Sequence, residues 1–194
     1  MFIEPHIGKS NKNDSTGWIE VVCGSMFSGK TEELLRRVKR AQIAGQNVAI
    51  FKPELDNRYA DLAVVSHDEN NISAVSVSKP EEILKLAMLA KVVAIDEVQF
   101  FDESVVDVCN KLASSGTRVI VAGLDMDYKG KPFEPMPQLL AVAEYITKVH
   151  AICMQCGQLA SFSHRISQDK EQVVLGEKDK YEPLCRVCFN KIEH

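Results

Sequence analysis

Residues 18–31 read WIEVVCGSMFSGKT, and the fold turns on how this stretch divides. Trp18 to Cys23 are mostly β-branched or apolar, the composition of a strand. They run directly into GSMFSGKT at 24–31, which matches G-x-x-x-x-G-K-[ST] at every fixed position. EELLRRVKRAQIAG follows, with Leu34, Leu35 and Val38 at helical spacing and Gly45 as a natural C-terminal stop. A strand, a glycine-rich turn and a helix in that order present backbone N–H groups at a helix N-terminus, where the dipole also favours an anion. The pattern implies that Gly24, Ser25, Met26, Phe27, Ser28 and Gly29 wrap phosphate oxygens, that Lys30 reaches β- and γ-phosphates, and that the Thr31 hydroxyl ligates Mg²⁺. The bland alternative is a glycine-rich turn that matches by chance. The flanking strand and helix argue against it.

Outward from this stretch, strands and helices alternate. NVAIFKP reads as a strand closed by Pro53, ELDNRYAD as a loop, and Pro80 opens a helix EEILKLAMLA with acidic residues in its first turn. KVVAIDE is a short apolar strand, Asp102 to Ser115 has helical spacing with Asp102 as the N-cap, and TRVIVAGL is the next strand. Weaker β-prone pieces lie around VVSHD and AVSV. Strands separated by helices of this length predict an α/β fold with a mostly parallel sheet covered on both faces. After about residue 150 the pattern changes to short β-prone pieces between cysteines. The chain therefore divides into a mobile N-terminal tail at 1–17, an α/β unit at 18–150 and a smaller unit at 151–194.

The strand KVVAIDE ends in two carboxylates. A phosphate-loop fold needs an acidic residue at the end of a neighbouring strand to hold the metal, and Asp96 is placed to be that residue. Glu97 follows it and points elsewhere or lies beyond the strand end. It either accepts the proton of an attacking hydroxyl, or merely caps the next helix or faces solvent; the pair alone leaves these readings open.

Six cysteines fall into two groups. Cys23 and Cys109 sit singly in apolar segments. Cys153-x2-Cys156 and Cys185-x2-Cys188 supply four thiolates in two knuckles, the ligand set of a closed, structural Zn²⁺ site in a reducing compartment. The 28 residues between the knuckles exceed the common spacing, so the metal also ties off a long loop.

The formal charge of −4, from 23 basic and 27 acidic residues, repels polyanions and disfavours nucleic-acid binding as the main activity. No segment reads as a signal peptide or a membrane span, so the expected location is cytoplasmic. Arg36, Arg37, Lys39 and Arg40 are read as a solvated face of their helix. His67 and His150 lack a ligand partner at recognisable spacing, and Trp18 is read as packing.

The ordered set GSMFSGKT, DNRY, DEVQFF, GLDMDYKGKPF, CMQC and KYEPLCRVC resembles the zinc-containing, type II thymidine kinases over residues 18–189. The resemblance implies a RecA-like P-loop domain joined to a small zinc-bearing domain with a lasso-like loop. It implies ATP-dependent phosphorylation of thymidine and deoxyuridine in nucleotide salvage. Glu97 falls on the family's catalytic base, Asp96 and Gln99 near nucleotide and metal, and Arg58 near the phosphates, where a surface salt bridge is the competing reading.

For the nucleoside the resemblance implies Met26, Phe100, Leu124, Tyr128 and Phe133 as apolar walls, with Ser163, Tyr181 and Gln172, Val173, Val174, Leu175 and Gly176. The last five fold over the base and present main-chain groups to it. Without the resemblance Phe100, Leu124 and Phe133 would read as core. Val98 stands where Gly or Ala is frequent in the family, Tyr128 where Phe is, Ser163 where Thr is, and Cys188 where some members use His. A homotetramer and inhibition by dTTP are further implications of the resemblance. The rival is a RecA-like ATPase that acts on DNA through a zinc ribbon; against it stand the negative charge and the lack of a basic stripe with interleaved aromatics.

Overall fold

The computed structural model describes residues 16–54, 74–166 and 180–192. Residues 1–15 of the expected tail, Arg58, His67 and 172–176 lie outside the described residues. Strand β1 (Trp18–Cys23) leads to helix α1 (Lys30–Ile43), and β2 (Val48–Pro53) returns beside the sheet. Then come β3 (Val75–Val77), α2 (Glu81–Leu86), β4 (Val92–Ile95), α3 (Ser104–Ser114) and β5 (Arg118–Gly123). Helix α4 (Met136–Val142) and β6 (Tyr145–Lys148) complete the sheet.

The six strands run β3-β2-β4-β5-β1-β6, and every pairing is parallel. Alternation along each strand sorts side chains onto two faces. Ile19, Val21 and Cys23 join Val93, Ile95, Val119 and Val121 under α2, α3 and α4, while Val22, Ile50, Ala94, Ile120 and Ala122 meet Leu34, Leu35, Val38 and Ala41 of α1. Strands covered on both faces read as continuous apolar runs, which is why VVAI and RVIVAG carry so little polarity.

Helix α2 stops well short of the expected EEILKLAMLA. Ile83 and Ala87 are buried in the core with Leu84 and Ala90 packed against it, the chain tightens with the Ala90 N–H on the Ala87 carbonyl, and the Lys91 N–H donates to the Asn47 carbonyl. Leu86, Met88 and Leu89 are left in solvent.

A second correction concerns α1. Arg37 is not on a solvated face: it is wholly buried, and its guanidinium donates to Glu20 Oε2 at 2.8 Å, Glu33 Oε1 at 2.8 Å and the Thr147 hydroxyl at 2.9 Å. Glu20, in mid-strand on the α1 face, also accepts from Arg118 at 2.6 and 3.1 Å and from the Trp18 indole N–H at 2.7 Å. Arg36 and Arg40 remain exposed, as expected.

Beyond Lys148 the chain leaves the large sheet. Strand β7 (Ala151–Ile152) pairs with β8 (Leu159–Ala160), β9 (Phe162–Arg165) pairs with β10 (Tyr181–Leu184), and α5 (Arg186–Ile192) closes the described chain. Their small core is Ala151, Ala160, Phe162, Leu184 and Phe189 around Cys153 and Cys188, with the rings of Phe162 and Phe189 stacked at 4.5 Å.

Removing one partner of a buried ion pair leaves the other desolvated and uncompensated, at a cost of about 3–5 kcal/mol. Glu20→Ala removes the carboxylate that two buried guanidiniums share and is expected to lose that much in urea unfolding. Ile43→Ala, at a side chain 87% exposed, is expected to stay within about 0.5 kcal/mol of the parent.

Candidate active site and metal centre

The glycine-rich loop leaves β1 through Gly24, at φ 148°, and enters α1 through Gly29, at φ 84°. A Cβ on Gly24 would lie 2.2 Å from the Val149 carbonyl oxygen, so only glycine lets the two backbones approach this closely. Phe27 also adopts positive φ, at 62°, which turns the chain between the glycines. The Ser25 carbonyl accepts from the Ser28 hydroxyl at 2.7 Å and from the Lys30 ammonium at 2.9 Å. Lys30 is thus held within the loop it belongs to, at the first turn of α1.

Because β5 lies between β1 and β4, the end of β4 faces the start of α1 across one strand. Asp96 closes that gap: its Oδ2 accepts from the Thr31 hydroxyl at 2.9 Å and its Oδ1 from the Glu97 N–H at 2.9 Å. Burial, reinforced by the neighbouring Glu97 charge, pushes the Asp96 carboxyl up to about 7.

Glu97 stands just past the strand in the left-handed region, φ 51° and ψ 39°, and its side chain makes no capping bond to the 3₁₀ turn Val98–Phe100 that follows. Its carboxylate instead accepts from the Gln99 amide at 2.5 Å, while Gln99 Oε1 accepts from the Leu124 N–H at 3.1 Å. Gln99 therefore ties the carboxylate to the end of β5. A Cβ on Gly123 would meet Gln99 Oε1 and Val98 Cγ1 at 2.8 Å and Met136 Sδ at 2.9 Å. The large Val98 and the absent side chain at 123 fit one another.

The segment after β5 folds back as a tight turn: Asp127 Oδ1 accepts from the Lys129 and Lys131 N–H groups at 2.9 Å, and Met126 bridges Pro132. That turn brings Phe133 edge-on to Phe100, centroids 6.4 Å apart, with Leu124 and Tyr128 half-buried nearby in sequence. Ser163 on β9 reaches the phosphate loop, its hydroxyl accepting from the Met26 N–H at 2.9 Å. Tyr181 on β10 is buried and accepts from Arg165, which also lies 3.7 Å over the Tyr128 ring.

Arg165 was not singled out from the sequence. The available signal was its spacing: in a strand Ser163 and Arg165 share a face. Cys23 and Cys109 take no part in this chemistry, and burial raises their thiols to about 11 and about 12, with the Asp125 charge adding to the effect at Cys23.

Cys153, Cys156, Cys185 and Cys188 converge with their sulfur atoms all within 4.8 Å of one another, Cys156 and Cys185 at 3.6 Å. Tetrahedral Zn²⁺ with Zn–S of about 2.3 Å needs sulfurs about 3.8 Å apart. The cluster is capable of coordinating a structural zinc ion. His150, expected to be no ligand, is exposed and pairs with the Ser161 hydroxyl at 3.1 Å.

A parallel α/β sheet with a lysine-bearing glycine loop facing an Asp-Glu pair is here joined to a four-cysteine cluster fit for a metal ion. The family model described as "Thymidine kinase" matches residues 17–189. The chain is 61% identical over 175 residues to a thymidine kinase of Rhodothermus sp., which covers 90% of this chain and 82% of the relative. It is 56% identical over 191 residues to a thymidine kinase of Bacteroides fragilis (98% and 94%) and 56% identical over 185 residues to one of Porphyromonas gingivalis (94% and 91%). The chain belongs to the thymidine kinase family. That membership decides against the DNA-acting ATPase. No helix among the described residues is long and apolar enough to cross a membrane.

The purified protein is expected to hold one Zn²⁺ per chain, measured by elemental analysis. Cys185→Ser is expected to lose the ion; wild-type protein devoid of zinc after metal-replete expression would contradict the assignment.

Proposed function

We propose that the chain transfers the γ-phosphate of ATP to the 5′-hydroxyl of thymidine, and of deoxyuridine, giving the monophosphate and ADP. The observation that carries this reading is the thymidine kinase match over residues 17–189, with its two acidic positions held in separate environments beside the phosphate loop. Asp96 accepts from Thr31 at the helix start, whereas Glu97 accepts from Gln99. Two carboxylates with different partners can do different work: Asp96 on the metal side, Glu97 accepting the hydroxyl proton.

A divalent cation fits these residues. Thr31 and Asp96 offer hard oxygen ligands next to Lys30, the set Mg²⁺ prefers. Burial makes the Asp96 charge costly, and a bound cation would offset that cost. Mg²⁺ would neutralise charge on the β- and γ-phosphates. Lys30 and the loop N–H groups from Gly24 to Thr31 orient the phosphates, and catalysis comes mainly from that positioning.

The nucleoside is proposed to lie against Met26, Phe100, Leu124, Tyr128, Phe133, Ser163 and Tyr181. Residues 172–176 are assigned to the base by resemblance, and Arg58 to the phosphates on the same ground. The RecA-like P-loop class, the lasso-like loop and the division into functional units at 18–150 and 151–194 belong to this proposal. So do a cytoplasmic location, a homotetramer and inhibition by dTTP.

Glu97→Gln is expected to bind both substrates and to lower kcat by about 10²–10⁴-fold, the usual contribution of a placed general base; near wild-type turnover would remove Glu97 from that role. Lys30→Ala is expected to weaken ATP binding and abolish transfer. ADP release should depend on thymidine and not on DNA. Release stimulated by DNA alone would restore the rival reading.

A further inference from the structure

Arg165 is a charged side chain only 6% exposed, at the end of β9. A guanidinium is desolvated at a cost, and that cost is met only where planar faces and acceptors surround it. Here they come from two distant parts of the chain. Its carbon centre lies 3.7 Å over the ring of Tyr128, in the turn after β5. Its Nε and Nη2 donate to the Tyr181 hydroxyl at 3.1 and 2.7 Å. Tyr181 is the direct register partner of Arg165 on β10.

The surroundings fix this arrangement further. Gly130, in the same turn as Tyr128 and at φ 71°, packs so tightly on Phe162 of β9 that a Cβ there would lie 3.1 Å from the ring. Ser163, two residues before Arg165, accepts from the phosphate-loop N–H of Met26. One side of β9 thus meets the phosphate loop through Ser163 and the aromatic residues of the nucleoside site through Arg165.

We infer that Arg165 is a positioning residue for the nucleoside, locking Tyr128 and Tyr181 into one preformed aromatic wall; the inference rests on the thymidine kinase reading above. A ligand that meets two ordered rings spends less affinity on ordering them. Loss of Arg165 therefore weakens nucleoside binding. The phosphate loop keeps its own tie to β9 through Ser163, so ATP binding is spared. Lysine cannot replace arginine, because an ammonium does not stack on one ring and fork to a second hydroxyl at once. Tyr128→Phe keeps the stacked face and is the mild variant.

The test measures KM for thymidine and for ATP, kcat and zinc content in the wild type, Arg165→Lys, Arg165→Met, Tyr181→Phe and Arg165→Met/Tyr181→Phe. Both Arg165 variants should retain zinc and near wild-type KM for ATP, with KM for thymidine raised on the order of tenfold and kcat changed far less. Tyr181→Phe should raise KM for thymidine to a smaller extent. The double variant should show less than the product of the two single effects, because they remove one shared interaction.

A zinc-loaded Arg165→Met enzyme with unchanged thymidine KM overturns the inference. So does a parallel rise in the KM for ATP, which marks general damage. Should the Arg165 variants not fold, Tyr181→Phe decides alone: an unchanged thymidine KM sinks the proposal. Wild-type protein that does not phosphorylate thymidine overturns the functional reading, and the inference with it. Active wild type with unaffected variants overturns the inference only.

Discussion

Midway along β1, one strand in from the edge of the sheet, Glu20 has no access to water, and its two oxygens accept four hydrogen bonds, from Trp18, Arg37 and twice from Arg118. Glu33 stands on the second side of Arg37 and also pairs with the exposed Arg36, so the buried carboxylate of Glu20 and the half-buried one of Glu33 together serve three guanidiniums. Apolar packing of Leu34, Leu35 and Val38 holds α1 on the sheet, but apolar contact is non-directional and tolerates rotation and sliding. The forked Arg37 contacts do not. Lys30 lies two turns before Arg37 on the same side of the helix, so fixing the helix about its axis aims the phosphate-loop lysine. Thr31, the next residue, is aimed with it.

Strand order makes the rest of the site follow. Neighbouring strands stand about 4.8 Å apart, so with β5 between them the ends of β1 and β4 are separated by roughly twice that. The start of α1 reaches across that gap to Asp96 through the Thr31 hydroxyl. The end of β5 lies between the two, which is why its exit residues serve both sides: Leu124 holds Gln99 through its N–H, and the following turn carries Tyr128 and Phe133. The proposed nucleotide and nucleoside positions are neighbours because their strands are.

The local signals were legible in the sequence wherever a short segment decides its own structure. The strand, glycine loop and helix at 18–43 and the two cysteine knuckles depend on spacing alone. The buried Arg37 was not legible, because its partner lies 17 residues away and another member of the network, Arg118, lies 98 residues from Glu20; a basic helix face looks solvated until the sheet beneath it is known. Helix α4 and strand β6 were also missed as separate elements. Pro135 and Pro137 flank the start of α4, a position that tolerates proline in the first turn, and β6 alternates half-buried with exposed residues in a way a four-residue strand displays only faintly. The expected extension of α2 failed for the opposite reason: helical propensity continued past Leu86, but Met88 and Leu89 face solvent and the chain tightens between Ala87 and Ala90.

The metal centre and the chemistry are connected without sharing a ligand. Cys153 and Cys188 are buried in the same small core as Phe162, and Phe162 is the face on which the Gly130 turn rests. One residue further, Ser163 touches the phosphate loop, and the Val149 N–H donates to the Cys23 carbonyl just before that loop, at 2.8 Å. A core this small buries little apolar surface, and four metal–thiolate bonds would add to what holds its shape. A bound zinc would therefore bear on the proposed chemistry through packing: the cysteine cluster shares its core with β9, and β9 meets both the glycine-rich loop and the two tyrosines.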